Sequence, residues 1–119
     1  MERVSPEEFE ALVSEALDSV PAEFQEYLGN TLVSVEEEPS PKMLSDLGVP
    51  RGSTLFGLYT GTPLTKRESN FAALPDAIAL FRGPILRACR TREQVVDQIR
   101  KTVVHEIGHF FGLSDQDLP

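Results

Sequence analysis

The chain has no tryptophan, a single cysteine and eleven bases against nineteen acids. Lone Cys89 closes no internal disulfide, so the fold must rest on a packed core and not on covalent staples. No apolar run approaches the roughly 20 residues of a transmembrane helix, which excludes that class. The shortage of bases leaves a net charge of -8 and an isoelectric point near 4.7. A surface of that sign repels phosphate backbones and anionic bilayers, so neither nucleic acid nor membrane is expected as a partner. The opening stretch MERVSPEEFE carries acids where a leader would carry bases and an apolar segment, and a cytoplasmic location is the expectation. What remains is ordinary: 119 residues, 40% of them hydrophobic, 25% charged, mean hydropathy -0.17. That is one domain's worth of chain, residues 1–119, large enough to bury a core.

Ser5-Pro6-Glu7-Glu8 has the form of a capping box with proline at the first helical position. Phe9, Leu12, Val13, Ala16, Leu17 and Val20 follow at helical spacing, which predicts an amphipathic helix. Pro21 restarts the chain into a shorter helix carrying Phe24 and Leu28, with Gly29-Asn30 expected to end it through a left-handed backbone position. Thr31 to Glu37 alternates as a strand and runs into a breaker, Glu38-Pro39-Ser40-Pro41. Leu55 to Tyr59 and Ala77 to Phe81 are two more strand candidates, separated by a long loop rich in Gly, Pro and Asn. Thr91-Arg92-Glu93-Gln94 is a second capping box. From it Val96, Ile99, Val103, Ile107 and Phe110 trace one stripe to Phe111, with Gly112 as C-terminal cap and Leu113 folding back. The pattern predicts an α+β fold in which an N-terminal helix backs a small mixed sheet and the Arg92 to Phe111 helix crosses it.

The chemistry concentrates on that last helix, in His105-Glu106-Ile107-Gly108-His109. Histidines four apart on a helix lie one above the other, so both imidazoles reach one metal ion. At about 100° per residue they face away from Val103 and Ile107, toward a cleft and not the core. A catalytic zinc takes three protein ligands, and these two are the chain's only histidines. Gly112 can turn the backbone to bring Asp115 back as the third ligand, with Asp117 as the reserve carboxylate. Glu106 stands beside the first ligand, placed to act as general base on a water that the metal acidifies. In ordinary sequence a bare H-E-x-x-H in this length is roughly a one-in-a-few-hundred accident, before the glycine and aspartate at fixed offsets are added.

HEIGHFFGLSD resembles the zincin metalloproteases, and more closely the metzincin variant with aspartate in place of the third histidine. GLYTGTPLT from Gly57, LPDAIALFRGPI from Leu74 and the terminal VVHEIGHFFGLSDQDL are similar to a bacterial family of short zincin-like metallopeptidases with a minimal zincin fold. The resemblance implies His105, His109 and Asp115 as zinc ligands and Glu106 as catalytic acid/base. It also implies an edge strand that pairs with an extended peptide, for which Ala77 to Phe81 is the candidate. Four residues follow Asp115, so the lower subdomain and Met-turn of larger metzincins are not expected, and one wall of the cleft would be open.

Two further functions compete with a zinc peptidase acting on a peptide or protein. One is a non-catalytic interaction module in which zinc pins Asp115 to the helix, a role with no use for a free carboxylate at Glu106. The other is a zinc endoribonuclease, which has a similar H-x-x-x-H-x-x-G-x-x-H pattern but histidine at the Asp115 position and no glutamate after the first histidine. Six of the eleven bases fall between Arg82 and Lys101, read here as a solvated helix face. Gly108 costs about 1 kcal/mol relative to alanine inside a helix, which leaves two readings: close backbone approach by a neighbouring element or substrate, or a merely tolerated helix glycine. Cys89 reads as a small buried apolar residue.

Overall fold

The computed structural model describes residues 4–29, 31–60 and 76–110. The segment expected as a long loop after Thr60, together with Asn30, Phe111, Gly112, Leu113, Asp115 and Asp117, lies outside the described residues.

The N-terminal helix α1 runs Pro6–Asp18 and starts as its sequence dictates. The Ser5 hydroxyl accepts from the Glu8 amide at 3.1 Å, and the Glu8 carboxylate accepts from the Ser5 amide at the same distance. Phe9, Leu12, Val13 and Ala16 form its buried face. Helix α2, Ala22–Leu28, follows and buries Phe24. Gly29 sits at φ -59°, continuing the right-handed turn, so the left-handed position expected at Gly29-Asn30 is not at Gly29, and Asn30 lies outside the described residues. Strand β1 then spans Thr31–Glu36.

A short helix α3, Pro41–Asp46, stands where a breaker was expected. Ser40 caps it, accepting from the Met43 amide at 3.0 Å, and Pro41 occupies the first turn, where it has no donor to lose. The chain returns as β2, Gly57–Thr60, and β3, Asp76–Phe81. A helix with no sequence-based expectation, α4, spans Arg82–Ala88 and buries Pro84, Ile85 and Leu86. The last helix, α5, runs Arg92–Phe110. The Thr91 hydroxyl accepts from the Gln94 amide at 3.1 Å, while the Gln94 side chain reaches one residue further back, to the Arg90 amide at 2.6 Å.

The sheet has the order β1-β3-β2, with β1 parallel and β2 antiparallel to β3. This overturns the choice of Ala77 to Phe81 as the edge strand. That segment is the centre of the sheet, with Ile78 and Leu80 fully buried, and its nearly unbroken apolar run suits a strand covered on both faces. Among the described residues, β2 and β1 are the edges.

Helix α5 packs along α1 and against β2. Val95, Ile99, Val103, Val104 and Ile107 are buried on it, so the apolar stripe begins at Val95, with Val96 only partly covered. Cys89 is buried beside this core, as expected. Burial pushes its thiol pKa above the usual value of 9.0. The run of bases between Arg82 and Lys101 is largely paired: Arg82 with Glu37, Arg87 with Glu38, Arg92 with Glu8, and both Arg100 and Lys101 with Asp97. Arg92–Glu8 ties α5 to α1 at 2.6 Å, while Arg82–Glu37 and Arg87–Glu38 tie α4 to the segment that follows β1. Arg82 also donates to the carbonyl of Val4, fastening the N-terminal segment to the start of α4.

Candidate metal centre

The final turns of α5 carry His105, Glu106 and His109. Ile107 and Gly108 between them are buried, whereas both histidines are exposed and Glu106 is half-buried. The helix therefore divides as its periodicity requires, with its apolar side in the core and its imidazoles outward. The two rings stand 5.9 Å apart between centroids and are inclined at 61°. That is the paired placement expected of residues four apart on one helix face.

Glu106 turns toward the sheet. Its Oε1 accepts a hydrogen bond from the backbone amide of Tyr59 on β2, at 2.9 Å. Tyr59 is itself fixed: its ring is buried and its hydroxyl donates to Asp76 Oδ2 at 2.8 Å. Thr31 Oγ1 lies 3.4 Å from the same hydroxyl and donates to the Tyr27 carbonyl at 2.6 Å. The strand beside the site is thus anchored to both α2 and the start of β3. Sequence reasoning missed Tyr59 and Asp76, since each bond spans 17 or more residues and leaves no local pattern.

Two hollows flank His105. One of about 330 Å³ lies between α5 and the approach to β2, bordered by Thr54, Phe56, Gly57, Thr102, His105 and Glu106. The other, about 250 Å³, lies on the α1 side, bordered by Ser19, Arg100, Val104 and His105. The imidazole at position 105 is thus open on two sides.

Among the described residues, no group of three or more His, Cys, Asp or Glu side chains is gathered to hold a metal. Two of the expected donors, His105 and His109, share one exposed face, and Asp115 lies outside the described residues. The donors present fit zinc in chemistry, being neutral-capable imidazoles with a carboxylate at their side.

The sequence profile of the zincin-like metallopeptidases matches residues 28–119. The chain belongs to that family. Zincin-like membership implies zinc binding and covers β1, the whole sheet and α5. The minimal zincin-like architecture is visible as five helices and a three-stranded mixed sheet among the described residues. In this zincin-like chain the strand lying along the helix of His105 and His109 is β2, in place of the Ala77 to Phe81 segment. A solved structure of similar fold is a conserved hypothetical protein from Thermo thermophilus. It is 26% identical, with a TM-score of 0.59 over 91% of this chain and 94% of that one. No curated protein matches the chain. No helix among the described residues is long and apolar enough to cross a membrane.

Proposed function

We propose that this chain is a zinc-dependent peptidase in which Glu106 is the general base and His105, His109 and Asp115 hold the ion. The observation that carries the reading is the pair of exposed imidazoles 5.9 Å apart with the Glu106 carboxylate between them in sequence, turned to an edge strand. Zinc, when bound, supplies a Lewis acid that makes water nucleophilic near neutrality. Glu106 divides its two oxygens between tasks. Oε1 is engaged by the Tyr59 amide, while Oε2 accepts no hydrogen bond from the described residues. Oε2 is the atom that takes a proton from the attacking water and returns it to the amine that leaves as the peptide bond breaks. The hollow bordered by Phe56, Gly57 and Thr102 lies next to that carboxylate and suits one substrate side chain. The substrate is a peptide or protein.

Glu106→Gln tests the role. The amide keeps the size and the acceptor toward Tyr59 but cannot take the proton. Zinc content should stay at one ion per chain while cleavage of a peptide library falls by about 10²–10⁴-fold. Equal cleavage by both proteins would remove Glu106 from the mechanism. Zinc analysis of Asp115→Ala beside Asp117→Ala tests the third ligand. Loss of zinc in the second and not the first would transfer the role to Asp117.

The bond from Tyr59 also favours a second reading, a non-catalytic zinc module in which Glu106 is only a structural acceptor for β2. Such a module has no cleavage to lose, so a zinc-replete wild type that cleaves no peptide in the library would select it.

A further inference from the structure

Helix and strand meet unusually closely where β2 begins. A Cβ placed on Gly57 would come within 2.8 Å of Thr102 Cγ2 and 3.0 Å of the Ala79 carbonyl oxygen. Thr102 has no room to yield, being buried, with its hydroxyl accepting from Gln98 Nε2 at 3.1 Å. The carbonyl belongs to the central strand. Any side chain at position 57 therefore forces β2 away from α5 or away from β3.

Two residues along the strand the consequence appears. Phe81 N–H donates to the Phe56 carbonyl at 2.9 Å, which makes 56 and 81 a hydrogen-bonded pair of the antiparallel ladder. Alternation then turns the amides of Gly57 and Tyr59 away from β3, toward the outer side of the sheet. An outward amide on an edge strand ordinarily meets solvent. At Tyr59 it meets Glu106 Oε1 instead, because β2 lies close enough to α5 for the 2.9 Å contact. The Tyr59 side chain, buried and bonded to Asp76, prevents the strand from twisting that amide elsewhere.

From this geometry we infer that Gly57 and Tyr59 are positioning residues for Glu106. Gly57 admits β2 to α5, and the Tyr59 amide fixes one carboxylate oxygen so that the other presents itself to substrate. The inference rests on Glu106 being the base, yet the contact itself can be measured without metal or substrate. The same amide is a group that an extended peptide added to the β2 edge would meet. Strand addition at Tyr59 and retention of Glu106 in this position therefore exclude each other.

The test is amide hydrogen exchange, read by NMR on the full chain without added metal. The Tyr59 amide should exchange about 10–100-fold more slowly in wild type than in Glu106→Ala, the range expected for a hydrogen bond to a charged group. Gly57→Ala should lose the same protection and shift the Tyr59 amide resonance. Protection should return in part when Thr102→Ser is added, which removes the methyl facing the new side chain and keeps the hydroxyl for Gln98. Thr102→Ser alone should leave the Tyr59 rate unchanged. Central-strand amides such as Ile78 serve as the reference for global folding: protection lost there as well as at Tyr59 would mark a destabilised domain. In that event Glu106→Ala, in which β2 keeps its glycine, decides. An equal Tyr59 exchange rate in wild type and Glu106→Ala overturns the inference, as does an unaltered rate in a folded Gly57→Ala. Failure of the wild type to cleave any peptide would sink the peptidase reading and leave this comparison standing.

Discussion

Replacing Tyr59 with phenylalanine removes one oxygen and keeps the buried ring, which makes the Tyr59–Asp76 bond separable from packing. Tyr59 is 7% exposed and Asp76 is 6% exposed, and their oxygens lie 2.8 Å apart. A hydrogen bond to a carboxylate contributes about 1.5–3 kcal/mol, twice or more what a neutral pair gives. Solvent cannot replace the lost donor at such burial, so the upper half of the range, about 2–3 kcal/mol, is expected. With a urea slope of about 1–3 kcal/mol/M for a domain of this size, the unfolding midpoint should fall by roughly 1 M. Asp76→Asn keeps an acceptor for the hydroxyl but removes the charge, so it should cost less than loss of the donor. The double variant then completes a cycle whose coupling should exceed about 1 kcal/mol, because the two groups touch. A midpoint shift under about 0.2 M for Tyr59→Phe would refute the reasoning, and so would strict additivity in the cycle.

Ser5→Ala removes the acceptor of the Glu8 amide and should destabilise by about 1 kcal/mol, measured by the same urea titration. Three carboxylates are held below their ordinary pKa values: Glu8 by the Ser5 amide and then Arg92, Glu38 by Arg87, and Asp97 by Lys101. A depressed folded value stabilises the fold above the unfolded pKa, so stability should decline as pH falls below about 4.5, and Arg87→Met should make the decline shallower. Cys89 has the opposite sign: its raised folded value means that stability should decline as pH rises above 9.0, and Cys89→Ala should remove that part of the alkaline loss in thermal melts.

Elements with complete local signals were legible. Helix α1 announced both its cap and its buried face, and α5 announced its start and its division into an apolar and a histidine-bearing side. The shared exposed face of His105 and His109 was legible for the same reason, since two residues four apart on one helix are a matter of spacing. Helix α3 carried a signal that the surrounding prolines obscured: Ser40-Pro41 repeats the serine-proline start of α1. Helix α4 was hidden by Gly83 and Pro84, residues that break helices in the interior and are accommodated here in the first helical turn. The position of β3 depends on pairings with residues 31–36 and 57–60, and no window of sequence contains those together. The Tyr59 contacts to Glu106 and Asp76 belong to the same category, being products of assembly and not of local pattern.

The order of strands also governs when the domain can come together. Strands β1 and β2 are synthesised first but touch only through β3, which supplies every partner that either has in the described sheet. A nascent chain that has emerged only as far as Thr60 therefore holds two strands without the partner that each has in the described sheet, Val33 and Val35 among their residues. Once residues 76–81 arrive, both ladders can zip, one with an offset of 45 residues and the other with about 20. Loop closure over such separations is slow beside helix formation. Until β3 appears, the edges of β1 and β2 that it covers in the finished sheet are unpaired strand edges, the kind of surface through which incomplete chains associate.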